Sequence, residues 1–126
     1  MVKKSNFKKG SVEMLILTLL NDQTMYGYQI SQEISVRSGN IINIPEGSLY
    51  PTLYKLLEES FVVDERRLVG KRMSRIYYSI TEKGRERLQD LYRDYTLVHK
   101  GIKGIMENSG FSLDEAAEKE SDDETN

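Results

Sequence analysis

The spacing of apolar residues changes twice along this chain, and the two changes limit its fold more than any other sequence feature. In the first half, apolar residues recur at i, i+3, i+4 and i+7, which is the spacing of one helix face. This predicts a first helix at about 11–21 and a second at about 25–38. A third helix follows a connector at 41–44, and its apolar stripe consists of Leu49, Leu53, Leu56 and Leu57.

The first change comes after residue 60, where β-branched residues become frequent. Residues 61–69 and 75–80 are predicted as two strands, because this composition and the bounding turn residues are typical of strands. Gly70 opens the loop that joins them, over 70–74. The two strands therefore form a hairpin.

The second change comes at Thr81, a residue suited to capping a helix. The helix predicted after it, at about 82–108, has an a/d seam of the kind found in coiled coils. The seam residues are Leu88, Leu91, Tyr95, Val98, Ile102 and Ile105. Such a seam can pack on its own domain. However, three short helices and a hairpin offer little surface to cover ~40 Å of helix, so we expect a symmetric homodimer.

Three short helices, a two-stranded ribbon and a long helix follow the order of a winged helix-turn-helix domain with a C-terminal dimerisation helix. The expected fold is mainly α with a small β hairpin. We place the winged helix-turn-helix domain at 1–80, the dimerisation helix at 81–108, and an acidic, disordered tail at 109–126.

Charge is unevenly distributed, and the total of -2 hides this. Seven acids and one base give residues 109–126 a net charge of -6, so the other 108 residues carry +4. The window 66–81 contains five bases and no acid. A basic segment of this kind indicates a nucleic-acid surface.

Composition and motifs argue against several other classes. The chain has no cysteine, which excludes disulfides and thiolate metal sites and fits a reducing, cytoplasmic compartment. No apolar run reaches the ~18 residues of a membrane span. His99 is the single histidine and lies on the predicted dimerisation helix, and no glycine-rich nucleotide-binding motif is present. We therefore expect no catalytic residue, no metal, no cofactor and no membrane partner.

The third helix carries hydroxyl groups near its start, where a helix in the major groove approaches base edges most closely. Ser48, Tyr50 and Thr52 supply the hydroxyls, and Lys55 supplies a positive charge. Taken alone, this pattern favours the solvated face of an ordinary amphipathic helix. Followed directly by a basic ribbon, it favours a DNA-recognition helix.

Pro51 within this helix lacks an N–H and disfavours the helical bond to Gly47. If the helix begins near Ser48, Pro51 falls in the first turn, where no such bond is needed. If it begins near Pro45, the first turn is expected to be distorted.

The basic hairpin also has two explanations. Lysine and arginine keep strand edges soluble in many hairpins. Five bases without an acid instead favour a wing that follows the phosphate backbone or enters a minor groove. The wing residues predicted to contact double-stranded DNA are Lys71, Arg72 and Arg75.

Three segments resemble the PadR family of winged-helix transcriptional regulators: MYGYQISQEI, GSLYPTLYKLLEE and RIYYSITEKGRERL. The resemblance covers roughly residues 10–105. It implies a homodimeric regulator, most often a repressor, that binds a palindromic operator. It also implies that Ser48, Tyr50, Pro51, Thr52 and Lys55 are contacts of the recognition helix, and that Lys71, Arg72 and Arg75 are contacts of the wing.

The chain departs from the family pattern at two places. Ser60 follows the third helix where many relatives have glycine, which suits a left-handed residue better. The chain also has no tryptophan, and Tyr95 stands where some drug-binding relatives place one to stack a planar ligand. Tyr95 is also an a-type residue of the seam, so packing explains it equally well. The resemblance implies release by a small aromatic effector or a stress signal. The candidate ligand residues are Phe7, Met14, Tyr92 and Tyr95.

A second hypothesis uses the same fold for another purpose. A winged helix can serve as the scaffold of a protein-interaction module, with the acidic tail as its docking element. Binding to one stable protein partner, without preference for any DNA, would distinguish this module from a regulator.

Overall fold

The computed structural model describes residues 4–112, with side chains described from Gly10 onward. The chain separates into a first unit that ends at Leu91 and a second that begins at Tyr92. The described elements are α1 (Lys4–Asp22), β1 (Met25–Tyr26), α2 (Gly27–Arg37), α3 (Glu46–Glu58), β2 (Val62–Leu68), β3 (Ser74–Ile80) and α4 (Glu82–Asn108). They confirm the expected fold class, mainly helical with a small antiparallel sheet.

The core of the first unit lies between α1, α2, α3 and one face of the sheet. Val12, Ile16 and Leu19 are buried on the predicted face of α1, and Leu17 and Leu20 are buried beside them. The buried part of α1 is wider than a single stripe because the helix contacts α2, α3 and β3. The helix also begins at Lys4 rather than at residue 11.

The sheet has three strands in the order β1-β3-β2, and all pairings are antiparallel. The spacing of residues predicts only the hairpin of β2 and β3. β1 is a two-residue strand, too short to show an alternating pattern, and its Met25 and Tyr26 pair with Tyr78 and Tyr77. α2 is correspondingly shorter than the helix predicted at 25–38, because it begins at Gly27 instead of residue 25.

Two contacts fix the start of α4 against the end of α3. The N–H of Gly84 donates to the hydroxyl of Thr81 at 3.0 Å, which confirms Thr81 as the helix cap. The Thr81 hydroxyl also lies 2.7 Å from the carbonyl oxygen of Ser60. Gly84 packs so closely that a Cβ there would overlap the carbonyl oxygen of Phe61. The end of α3 and the start of α4 therefore form one tightly connected corner.

Ser60 adopts the left-handed conformation that glycine favours, with φ at 64°. The N–H of Phe61 donates to the carbonyl of Leu56 at 2.9 Å, and the N–H of Ser60 donates to that of Leu57 at 3.0 Å. These two bonds form a Schellman motif, which closes α3. The helix therefore ends at a left-handed serine, at a conformational cost that glycine would not carry.

The second unit contains the part of α4 that follows Leu91. Its described apolar side chains are largely exposed, and α4 ends in a Schellman motif at Gly110, whose φ is 93°. The predicted acidic tail begins in this unit, and from residue 113 onward it lies outside the described residues. None of the helices described between residues 4 and 112 is long and apolar enough to cross a membrane.

Candidate nucleic-acid interface

The start of α3 is shaped by two prolines. Pro45 is the extended residue before the helix, and its carbonyl accepts the N–H groups of Ser48 and Leu49 at 2.9 and 3.0 Å. α3 therefore begins near Pro45, and Pro51 lies in the second turn. Because Pro51 has no N–H, the helical bond to the Gly47 carbonyl is missing.

No side chain caps this helix, so the backbone N–H groups of Glu46 and Gly47, which precede those bonded to Pro45, remain available to an anion. Ser48, Pro51 and Lys55 are exposed on the same helix, and Thr52 is half-buried. The Thr52 hydroxyl donates to the carbonyl of Ser48 at 3.0 Å. Four of the five predicted recognition-helix residues are thus accessible around the first two turns.

Tyr50, the fifth of these residues, is half-buried and faces Gly27 at the start of α2. A Cβ on Gly27 would lie 2.6 Å from the Tyr50 hydroxyl oxygen and 2.9 Å from two ring carbons. Burial raises the pKa of Tyr50, and the charge of Glu46 adds to this. Tyr50 is therefore a packing contact between α2 and α3 as well as a predicted site residue.

Tyrosine side chains are present both on α3 and on the neighbouring strand β3. The rings of Tyr50 and Tyr54 lie 6.2 Å apart, and burial followed by the proximity of Tyr54 raises the pKa of Tyr78 on β3. Asp64 on β2 contributes to the same shift. These side chains mark the place where α3 meets the β2–β3 ribbon.

The wing consists of β2, β3 and the loop 69–73. The loop is closed by the Val69 N–H, which donates to the carbonyl of Met73 at 3.0 Å. Lys71 and Arg72 at its tip are exposed, and neither forms an ion pair within the described part of the chain. Their positive charges are therefore available to a polyanion.

Arg67 and Arg75, two other basic residues of the wing, are held by aromatic rings or an acid on one side of the ribbon. The guanidinium of Arg75 lies 4.4 Å from the centre of the Tyr26 ring, and that of Arg67 lies 4.7 Å from the centre of the Tyr77 ring. Arg67 also pairs with Glu65 at 3.2 Å. Arg75 is thus brought to β1 rather than to the loop that carries Lys71 and Arg72.

The sequence matches one known protein family. The model of the transcriptional regulator PadR-like family matches residues 16–90, from α1 into α4. The chain belongs to this family. Members of the PadR-like family are DNA-binding transcriptional regulators rather than enzymes, so the same holds for this chain.

Individual relatives agree with this assignment. An uncharacterised protein of Lysinibacillus sphaericus is 33% identical over 104 residues, which cover 82% of this chain and 95% of that protein. A transcriptional regulator of Mycobacterium tuberculosis is 34% identical over 84 residues, which cover 67% and 75% of the two chains. The solved structure of a transcriptional regulator from Clostridium thermocellum superposes with a TM-score of 0.73 at 26% identity, over 79% of this chain and 96% of that one.

The predicted dimer residues divide between the two units. Leu88 and Leu91 pack against the core of the first unit. In the second unit, Tyr95, Val98 and Ile102 are 40–49% exposed and Ile105 is 68% exposed. The first two seam residues therefore pack against the chain's own core.

The predicted ligand residues are also spread along the chain. Met14 is half-buried on α1, Tyr92 and Tyr95 are exposed on α4, and the side chain of Phe7 lies outside the described residues. A cavity of about 220 Å³ in the first unit has a different lining, formed by α1, α2 and Ile42. Between residues 4 and 112, no cluster of acids and histidine could hold a metal ion.

Sequence reasoning included Arg66 in the basic window but not among the wing contacts. Arg66 is exposed and pairs across the ribbon with Ile76. Gly27 lies in the MYGYQISQEI segment, but nothing in the sequence identifies it as a site residue. The structure shows Tyr50 packed on it. Alternation along a strand places Arg66 and Arg67 on opposite faces, but it does not tell which of the two faces meets the core.

Proposed function

We propose that this PadR-like regulator is a repressor that binds a palindromic operator as a homodimer. The observation that carries the proposal is the combination of an uncapped, hydroxyl-bearing start of α3 with a wing tip whose Lys71 and Arg72 have no ion-pair partner in the described region. Base edges require short hydrogen-bonding groups, and phosphates require positive charge. Both are present in the first unit.

In this proposal α3 enters the major groove. Ser48 and Thr52 meet base edges or nearby phosphates, Lys55 approaches the backbone, and Pro51 keeps the Gly47 carbonyl free of a helical bond. Tyr50 is a further proposed DNA contact of α3, and its ring is held against Gly27 of α2. Lys71, Arg72 and Arg75 are the wing residues first expected at the DNA.

The homodimer is proposed from α4. Tyr95, Val98, Ile102 and Ile105 present apolar side chains along the helix of the second unit, and a second copy of the same helix is the natural cover for them. A two-fold dimer presents two copies of α3 to half-sites about one DNA turn, ~34 Å, apart. The two-fold symmetry of such a dimer is the reason for a palindromic operator.

The effector belongs to the same proposal. A small aromatic molecule or a stress signal releases the regulator from DNA, with Phe7, Met14, Tyr92 and Tyr95 as candidate contacts. The regulator acts in the cytoplasm, at the nucleoid. Shifts in the resonances of Met14 and the α4 tyrosines on adding an aromatic ligand would support these contacts.

The experiment that tests DNA binding is fluorescence anisotropy with a labelled fragment from upstream of the protein's own gene. A scrambled fragment of equal composition measures non-specific binding, and each titration is repeated over a series of salt concentrations. A specific regulator prefers its own fragment by at least about a thousandfold.

Charge variants connect this binding to the wing. Lys71→Ala with Arg72→Ala is expected to lower the salt slope of log K by about 0.9 for each lost phosphate contact. Lys100→Ala with Lys103→Ala on α4 makes the same charge change outside the wing and is the matched control. Equal slopes in all three proteins would refute the wing contacts, and equal affinity for both fragments would favour the protein-interaction module.

A further inference from the structure

The two sides of the β2–β3 ribbon carry different kinds of side chains. Alternate residues of a strand point to opposite faces, and the register pairs Val62 with Ile80, Asp64 with Tyr78 and Arg66 with Ile76. Because Val62 and Tyr78 are buried in the core, this face is the helix side of the ribbon. Arg67, its partner Arg75 and Tyr77 belong to the opposite face, the outer side.

The basic groups of the outer side are already engaged. Arg67 and Arg75 are directly opposite each other in the register, an arrangement in which like charges repel. Each guanidinium lies over a tyrosine ring, and Glu65 pairs with Arg67. The rings of Tyr26 and Tyr77 meet edge to face with centroids 5.5 Å apart. These contacts connect all three strands and hold both arginines on the outer side.

Arg66, unlike Arg67 and Arg75, lies on the helix side of the ribbon. It is exposed, and it pairs with no carboxylate or ring in the portion of the chain that the structure describes. On its side of the ribbon, Asp64 is paired with Tyr78 in the strand register, and α3 packs against β2 near this pair. Arg66 is two residues further toward the wing tip, so it continues the surface that begins at α3.

We infer that Arg66 is a DNA-contacting residue of the wing, and that Arg75 positions the ribbon through Tyr26 instead of binding phosphate. This inference rests on the proposed DNA-binding function and changes the set of wing contacts to Arg66, Lys71 and Arg72. The duplex backbone then runs from α3 along the exposed, tip-ward part of the helix side of the ribbon, where Arg66 lies. The outer side faces away from it.

Neighbouring residues of one strand provide a matched test. Arg66→Ala and Arg67→Ala remove the same charge one position apart, on opposite sides of the ribbon. In salt-dependent anisotropy titrations with the upstream fragment, Arg66→Ala should lower the slope of log K against log salt by about 0.9 per bound wing. At 0.15 M salt this corresponds to about fivefold weaker binding for each lost contact.

Arg67→Ala and Arg75→Ala should keep the slope of the unmodified protein, with a small fall in melting temperature from the lost ring contact. Arg66→Lys should keep a slope close to that of the unmodified protein, because it keeps the charge, and Arg66→Gln should lower the slope by as much as Arg66→Ala does. Circular dichroism on each variant separates a folding defect from a lost contact.

Equal slopes for Arg66→Ala and Arg67→Ala would overturn the inference while leaving DNA binding intact. So would a lower slope in Arg75→Ala with an unchanged slope in Arg66→Ala. If the unmodified protein showed no salt-dependent binding to either fragment, both the inference and the proposed function would fail.

Discussion

Nε of Arg87 on α4 donates a hydrogen bond of 2.9 Å to Oε1 of Glu13 on α1, although the two residues are 74 positions apart in sequence. The Glu13 side chain is 7% exposed and that of Arg87 is 37% exposed. This hydrogen bond is also the main reason why the pKa of Arg87 is raised. The pair joins the start of α4 to the first helix within the first unit.

Breaking this pair is expected to destabilise the first unit. Arg87→Met leaves the buried Glu13 carboxylate without its charged partner, and we expect a loss of about 1–3 kcal/mol in the free energy of unfolding. Glu86→Gln, at an exposed neighbouring position, should cost less than about 0.5 kcal/mol. Urea denaturation measures both, and equal stability of the two variants would show that the pair contributes nothing.

The contact between Gly27 and Tyr50 predicts a coupling between α2 and α3. Gly27→Ala forces the Tyr50 ring to move, and we expect a loss of about 1–2 kcal/mol together with weaker DNA binding. In Gly27→Ala with Tyr50→Leu, the smaller side chain relieves the overlap. A double-mutant cycle by urea denaturation should therefore give a combined loss smaller than the sum of the single losses, and strict additivity would contradict this.

The left-handed residue after α3 predicts an increase in stability. Ser60→Gly removes the conformational penalty at a φ of 64°, and a gain of about 0.5–1 kcal/mol is expected. Gly39→Ala makes the opposite change at nearly the same φ, 62°, where a Cβ has open space around it. It should cost about 1 kcal/mol. Thermal unfolding of both variants provides the check, and a shift of the same sign in both would refute the explanation.

Tyr78 predicts a loss of stability at alkaline pH. Burial raises its pKa above the ordinary value of 10.0, so the folded protein holds the phenol proton more tightly than the unfolded chain. The stabilisation is fully present below the unfolded pKa and falls as the pH rises from there through the folded pKa. Melting temperatures between pH 8 and 11 should decline less steeply in Tyr78→Phe than in the unmodified protein. Parallel curves would exclude Tyr78 as the cause.

The apolar strip on α4 predicts the oligomeric state. Val98→Asp with Ile102→Asp places two charges in the proposed dimer interface, and sedimentation equilibrium should then give the mass of a monomer. Leu97→Asp introduces a charge on the same helix outside the seam and should remain dimeric. A dimer that survives the double substitution would place the interface elsewhere.

Several elements could be predicted from local spacing alone. The alternation of three- and four-residue steps after Thr81 predicted a helix over 82–108, and the structure has α4 at Glu82–Asn108. The β-branched run predicted the ribbon to within one or two residues at each end. In both cases the signal lies between near neighbours in sequence, where helix and strand periods differ clearly.

Other features have no local signal. In β2 only Val62 is buried, so the strand shows no alternation of apolar and polar residues from which its faces could be assigned. β1 is recognisable as a strand only by its pairing with β3. Leu88 and Leu91 pack on the core whereas the later seam residues are exposed. The uniform heptad pattern does not predict this difference.

The residue spacing and the charges determined the order of the elements and the basic wing, and the residue types determined the hydroxyl groups of the third helix. Three sequence motifs carry the family resemblance. Tertiary structure alone decided that Tyr50 packs on Gly27, that Arg75 stacks on Tyr26, and that Arg66 lies on the helix side of the ribbon. The physical reason is that these contacts depend on strand register and helix packing between residues far apart in the chain. Periodicity records only which face of an element is apolar, not what that face meets.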